Sequence, residues 1–116
     1  MPDKPGQSLF HVILDTPDGS HALTCGSDEY VWDAAERNGL RLPALCHQGR
    51  CLTCAGRLVS GKVDQRDADS YFPEDREQRF VLLCRAKPLS DLRILTHQQD
   101  EMRQYRRARG LPAPYA

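Results

Sequence analysis

No apolar run in the 116 residues approaches the roughly 18 that a membrane-spanning helix needs, so membrane insertion is not expected. An excess of one charge is missing too. Lys plus Arg and Asp plus Glu number 16 each, which leaves a formal net charge of zero. Sequence-independent nucleic-acid binding draws on a basic surface, so nucleic acid is not an expected partner. Aromatic residues make up only 7% and hydrophobic residues 40%, enough for one modest core. The length suits a single domain. Residues 1–8 are polar and show no apolar segment of the secretory kind. The expected location is the cytoplasm, or an organelle stroma such as that of the chloroplast. The histidines are scattered, and neither a Ser/His/Asp set nor a phosphate-loop signature occurs. An enzyme with its own substrate site is therefore not indicated.

Cysteine, by contrast, is plentiful and patterned. Five are present, and an odd number would leave one over in a pure disulfide framework. Cys46, Cys51 and Cys54 form a C-x4-C-x2-C run, and Cys84 follows after 29 further residues. Thiolates are soft donors that suit iron–sulfur clusters and zinc. This spacing is the one by which a short loop wraps one side of a 2Fe–2S cluster while a distant cysteine closes the other. Structural zinc sites usually show paired C-x2-C knuckles, and here only Cys51 with Cys54 makes one. A zinc-binding interaction module is the remote alternative. Cys25 lies outside the pattern in an apolar run and reads as a buried thiol acting as a small hydrophobe.

Around this motif the chain alternates short β-like runs with helical ones. Residues 9–15 are rich in β-formers, and the turn chemistry of Thr16-Pro17-Asp18-Gly19 lets residues 22–25 return antiparallel. Residues 28–38 predict a helix with Ser27 as N-cap, Asp28 and Glu29 at its positive end, and Val31, Ala34 and Ala35 as the apolar stripe. Gly39 is placed to end it. Residues 55–61 predict a strand and turn, 74–78 a short helix, and 80–84 and 92–96 two further strands. The sum is a small mixed α+β domain.

Leu42-Pro43, the Cys46–Cys54 loop with Gly49, Thr53-Cys54-Ala55-Gly56, Val59-Ser60-Gly61 with Val63-Asp64-Gln65, Val81-Leu82 before Cys84, and Pro88 with Ser90-Asp91 together resemble the plant-type 2Fe–2S ferredoxins of cyanobacteria and chloroplasts. The resemblance implies a β-grasp fold (a ubiquitin-like roll), with a mixed sheet packed on one main helix. It also implies one-electron transfer without enzymatic turnover, and a 2Fe–2S cluster held by Cys46, Cys51, Cys54 and Cys84. Cys46 and Cys51 would take the more exposed iron, and Cys54 and Cys84 the other. Implied partners are a reductase, a photosystem or a ferredoxin-dependent enzyme, met by a monomer. A dedicated donor to an oxygenase or another non-photosynthetic enzyme is the alternative.

Several positions depart from that family. Arg50 stands where a small residue is usual, and Leu52 replaces a serine. His47 and Arg85 each follow a ligand cysteine directly. Cations there would favour the more negative, reduced state of a cluster. The first 96 residues carry 12 basic and 14 acidic side chains, far from the strong acidity of photosynthetic members. The family's aromatic falls near Tyr71, with Ser70 at the strictly counted place. Its acidic docking pair falls on Gln99 and Asp100, so half of it is missing. We divide the chain into residues 1–97 as the ferredoxin domain and 98–116 as a C-terminal extension, similar to the extended variants called ferredoxin C. Residues 98–109 predict a helix with Met102, Tyr105 and Arg109 on one face. Gly110 ends it, and Pro112 and Pro114 block its resumption. Four arginines against Asp100 and Glu101 make this tail basic, which suggests a partner-selecting arm, a helix packed back on the domain by Met102 and Tyr105, or both.

Overall fold

The computed structural model describes residues 8–43, 52–68 and 71–113. Strand β1 (Leu9–Thr16) turns through Pro17 and Asp18 into β2 (Gly19–Gly26). The two pair antiparallel from Leu9↔Gly26 to Thr16↔Gly19. Helix α1 (Val31–Arg37) follows, then β3 (Ala55–Ser60), the two-residue β4 (Val63–Asp64), α2 (Pro73–Glu77) and β5 (Phe80–Leu82). A 3-10 turn (Leu83–Arg85), β6 (Lys87–Pro88), β7 (Leu92–Leu95) and α3 (Gln99–Ala108) complete the described chain. The main sheet runs β2-β1-β7-β3-β5, and β4 pairs with β6 in a small second ladder. β1 and β7 are parallel, whereas the other pairings are antiparallel. This is the expected mixed sheet of an α+β, β-grasp domain. No helix among the described residues is long and apolar enough to cross a membrane.

The apolar stripe of α1 goes where its spacing sends it: Val31, Ala34 and Ala35 are fully buried in the core with Val12, Leu14, Leu82 and Ile94. Its C-terminus is also as expected. Gly39, at φ 80°, lets its own N–H reach Glu36 O and the Leu40 N–H reach Ala35 O, the paired bonds of a Schellman ending. The N-terminus differs from the sequence expectation. The helix starts three residues later, with Tyr30 at the cap and no side-chain cap bond. Ser27 Oγ instead accepts from the Ser8 N–H. Glu29 accepts from the Gly26 N–H and pairs with Arg37, and Asp28 pairs with Lys87. All three candidate capping residues are thus committed to other elements.

Two further expectations are corrected. The apolar run 80–84 is not all strand: pairing ends at Leu82, and Cys84 sits in the 3-10 turn. The inward face of α3 is also wider than expected: Arg103 and Arg106 join Met102 and Tyr105 in packing on the domain. Met102 and Arg106 are fully buried and Arg103 nearly so, while Tyr105 is half-buried and Arg109 exposed.

α3 packs on the domain through specific contacts. The Tyr105 ring lies 5.8 Å from that of Phe80. Arg106 donates from Nε and Nη2 to both carboxylate oxygens of Asp75, at 3.2 and 2.8 Å, with both side chains wholly buried. Its guanidinium also lies over the Phe72 ring and donates to Pro112 O. Asp75 in turn accepts from the Phe72 N–H. A bidentate, fully hydrogen-bonded arrangement is what allows two charges to leave water together.

Candidate metal centre

Cys54 and Cys84 come together at one end of the β3–β5 ladder. Ala55 pairs with Leu82, so Cys54, just before β3, and the 3-10 turn after β5 extend the same two strands. The Leu83 N–H donates to Cys54 O at 3.1 Å and the Ala55 N–H to Leu52 O at 3.0 Å, which fixes both backbones. Just beyond Cys54 the sheet allows no side chain: a Cβ on Gly56 would stand 2.9 Å from Ile94 Cγ2 and 3.2 Å from Leu95 O.

The two Sγ atoms are 3.1 Å apart and both are buried. A disulfide needs about 2.05 Å, so the pair is not bridged. Two soft donors this close and both buried are suited to share one metal ion. Cys46 and Cys51, with His47, Gly49 and Arg50, lie outside the described residues. Among the described residues no group of three or more His, Cys, Asp or Glu that could hold a metal occurs. Leu52, in the place of the family's serine, is fully buried.

The turn carrying Cys84 is held by Gln65, which in the sequence stands out only as the end of the Val63-Asp64-Gln65 motif. Gln65 is almost fully buried, and its amide nitrogen donates to Leu82 O and to Arg85 O, while its oxygen accepts from the Leu82 N–H at 2.6 Å. One side chain therefore brackets Leu83 and Cys84 from both sides. A carboxamide offers a donor and an acceptor on one planar group, so a polar residue between apolar runs was the available signal. On the other side, the Val31 N–H donates to Ala86 O and ties α1 to the same turn. Arg85 leans over the Tyr30 ring and donates to its hydroxyl, which donates to Asp67 at 2.6 Å. The Tyr30 contact holds Asp67 below the usual carboxylate range.

Cys25 is not part of this centre. It is fully buried, its thiol donates to Glu29 O at 3.3 Å, and burial together with the nearby Glu29 carboxylate pushes its pKa up to about 12. A thiol that stays protonated is a poor nucleophile and a poor ligand, in keeping with its reading as a small hydrophobe.

Residues 15–89 match the model of the 2Fe-2S iron-sulfur cluster binding domain. The chain belongs to the plant-type 2Fe–2S ferredoxins. It is 49% identical over 83 residues to Ferredoxin-2 of Synechococcus sp., covering 72% of this chain and 79% of that one. It is 36% identical over 95 residues to the chloroplastic Ferredoxin-6 of Zea mays, covering 81% and 61%. Among solved structures, Pectocin M2 superposes with a TM-score of 0.73 at 33% identity; the match covers 81% of this chain but only 34% of that one. This ferredoxin is thus a 2Fe–2S electron-transfer protein and not an enzyme, and the zinc alternative is not retained.

Proposed function

We propose that Cys46, Cys51, Cys54 and Cys84 are the four ligands of the 2Fe–2S cluster, with Cys54 and Cys84 sharing one iron. The 3.1 Å approach of the buried Cys54 and Cys84 sulfurs is the observation that supports that pair, and the C-x4-C-x2-C spacing supports Cys46 and Cys51. When bound, the cluster supplies a centre that takes up and gives back one electron. The chain's own part is to present deprotonated thiolates and to exclude water behind them. It also keeps the Cys84 turn rigid through Gln65, so that little has to move when charge changes.

In this reading residues 1–97 form the electron-carrying domain, and residues 98–116 are an extension whose helix is built into its core. The protein works as a monomer in the cytoplasm or stroma, between a reductase or photosynthetic donor and ferredoxin-dependent acceptors. A non-photosynthetic acceptor such as an oxygenase is a second reading. It draws support from the near balance of charge in residues 1–96 and from the acidic docking position taken by Gln99.

Substituting Cys84→Ser in the purified holo-protein tests the ligand set. The red-brown visible absorption and the reducible electron-paramagnetic centre are expected to be lost or to become unstable. A normal, reducible centre in that variant would overturn the assignment.

A further inference from the structure

A groove of about 1100 Å³ opens beside the β4–β6 ladder. Leu58, Val63, Leu89 and Tyr71 give it an apolar floor, and Leu89 is 58% exposed. The Tyr71 hydroxyl donates inward to Phe80 O at 2.6 Å, so the ring is held in place as a wall. Four exposed cations surround this floor: Lys62, Arg66, Arg76 and Arg79. Among the described residues lining the groove the one carboxylate is Asp64, and Arg66 holds it at 2.7 Å. Arg79 donates to Leu58 O, and Arg76 lies by the Tyr71 hydroxyl. Neither of these nor Lys62 joins an ion pair between described residues.

We propose that this groove docks an acidic segment of a protein redox partner. The partner's carboxylates would meet Lys62, Arg76 and Arg79, and a large apolar side chain would rest on Leu58 and Leu89. The inference rests on the electron-carrier reading above and adds to it the charge and place of the partner. The three cations come from the β3–β4 turn and from α2 and its end. They line the groove together with its apolar floor. A protein segment answers both features at once, since charge steers the encounter and apolar contact holds the complex.

The position also suits electron transfer. Gln65 lines the groove, and it is the residue whose side chain brackets Cys84. A partner seated here abuts the wall that holds one of the proposed ligands. The charge polarity is the reverse of that expected for an acidic photosynthetic ferredoxin, which gives the near-neutral composition a structural meaning.

The test uses the holo-protein and a short fluorescent peptide of glutamates with leucine and phenylalanine. Its controls are a lysine-for-glutamate counterpart, a version with serine in place of the apolar residues, inorganic phosphate and phosphatidylglycerol vesicles. Selective binding of the acidic apolar peptide is expected, weakening with added salt and falling about tenfold or more in Lys62→Glu/Arg76→Glu. Leu89→Ser should weaken it less, and the visible spectrum of each variant, recorded in the same sample, verifies the fold. Equal binding of the lysine peptide, displacement by phosphate, or variant-sensitive binding of the vesicles in place of the peptide would each overturn the proposal. So would an intact spectrum with no selective binding. Selective binding to a protein lacking a reducible centre would uphold the groove and overturn the electron-carrier reading alone.

Discussion

Helices α1 and α3 bury their inner faces by different physics. α1 does so with Val31, Ala34 and Ala35, all fully buried, and leaves the Glu29–Arg37 ion pair at the surface. α3 does so with Met102, Arg103 and Arg106, two of the three being cations. An apolar stripe needs only an apolar surface to pack against. A buried arginine needs a specific carboxylate, and Asp75 supplies it from α2, 31 residues earlier. The consequence for the extension is direct. Arg106 pairs with Asp75 and Arg103 with Asp100, which leaves Glu101, Arg107 and Arg109 as the remaining exposed charges of α3 and its C-terminal end. Met102 and Arg106 thereby tie the extension's helix into the domain, while four exposed cations gather at the β4–β6 groove.

The contrast can be broken most strongly at Arg106. Arg106→Met alone leaves the Asp75 carboxylate buried without its partner and should cost about 3–5 kcal/mol, read as a fall in melting temperature of the holo-protein. Adding Asp75→Asn should recover part of that loss, and a double-mutant cycle measures the coupling. Additive losses would mean that the pair is not the lock. Met102→Ala removes the one apolar side chain that α3 buries completely and should cost about 2–5 kcal/mol by denaturant titration. A cost well under that would show that α3 is held by its arginines alone.

On α1 the same logic predicts sensitivity to volume and indifference to charge. Ala34→Leu overfills a fully buried position and should destabilise by about 1–3 kcal/mol. The smallest effect is expected for Arg37→Ala, whose side chain is 53% exposed. Exposed pairs contribute about 0–1 kcal/mol, so a loss as large as that of Arg106→Met would erase the distinction between the two helices. For the same reason, truncation at residue 97 is expected to uncover Phe80 and strand Asp75 as well as to alter partner choice.

Much of this was legible without coordinates. Period-two runs and turn residues place β1, β3 and β7 within a residue of their observed ends and foresee the hairpin into β2, which begins three residues before the expected 22, because a hairpin and a half-buried strand are specified locally. The cysteine spacing names the cofactor, since the ligands of one small inorganic core fix their own separations along the chain. Local pattern failed where a residue had a competing partner far away. Ser27, Asp28 and Glu29 look like a helix start, yet Ser8, Lys87 and Arg37 claim them. Phe80 to Cys84 looks like one strand, yet the Gln65 amide holds Leu82 and Arg85 in a turn.

The sequence by itself determined the family, the cluster, the four candidate cysteines and the apolar face of α1, all carried by spacing along the chain. Only the tertiary structure decided that Cys54 and Cys84 meet at 3.1 Å, that Gln65 braces the turn between them and the groove, and that Arg106 points inward. Each of these depends on which charged or polar group stands opposite another across the fold. A chain's periodicity records its own faces but not the partners that those faces meet.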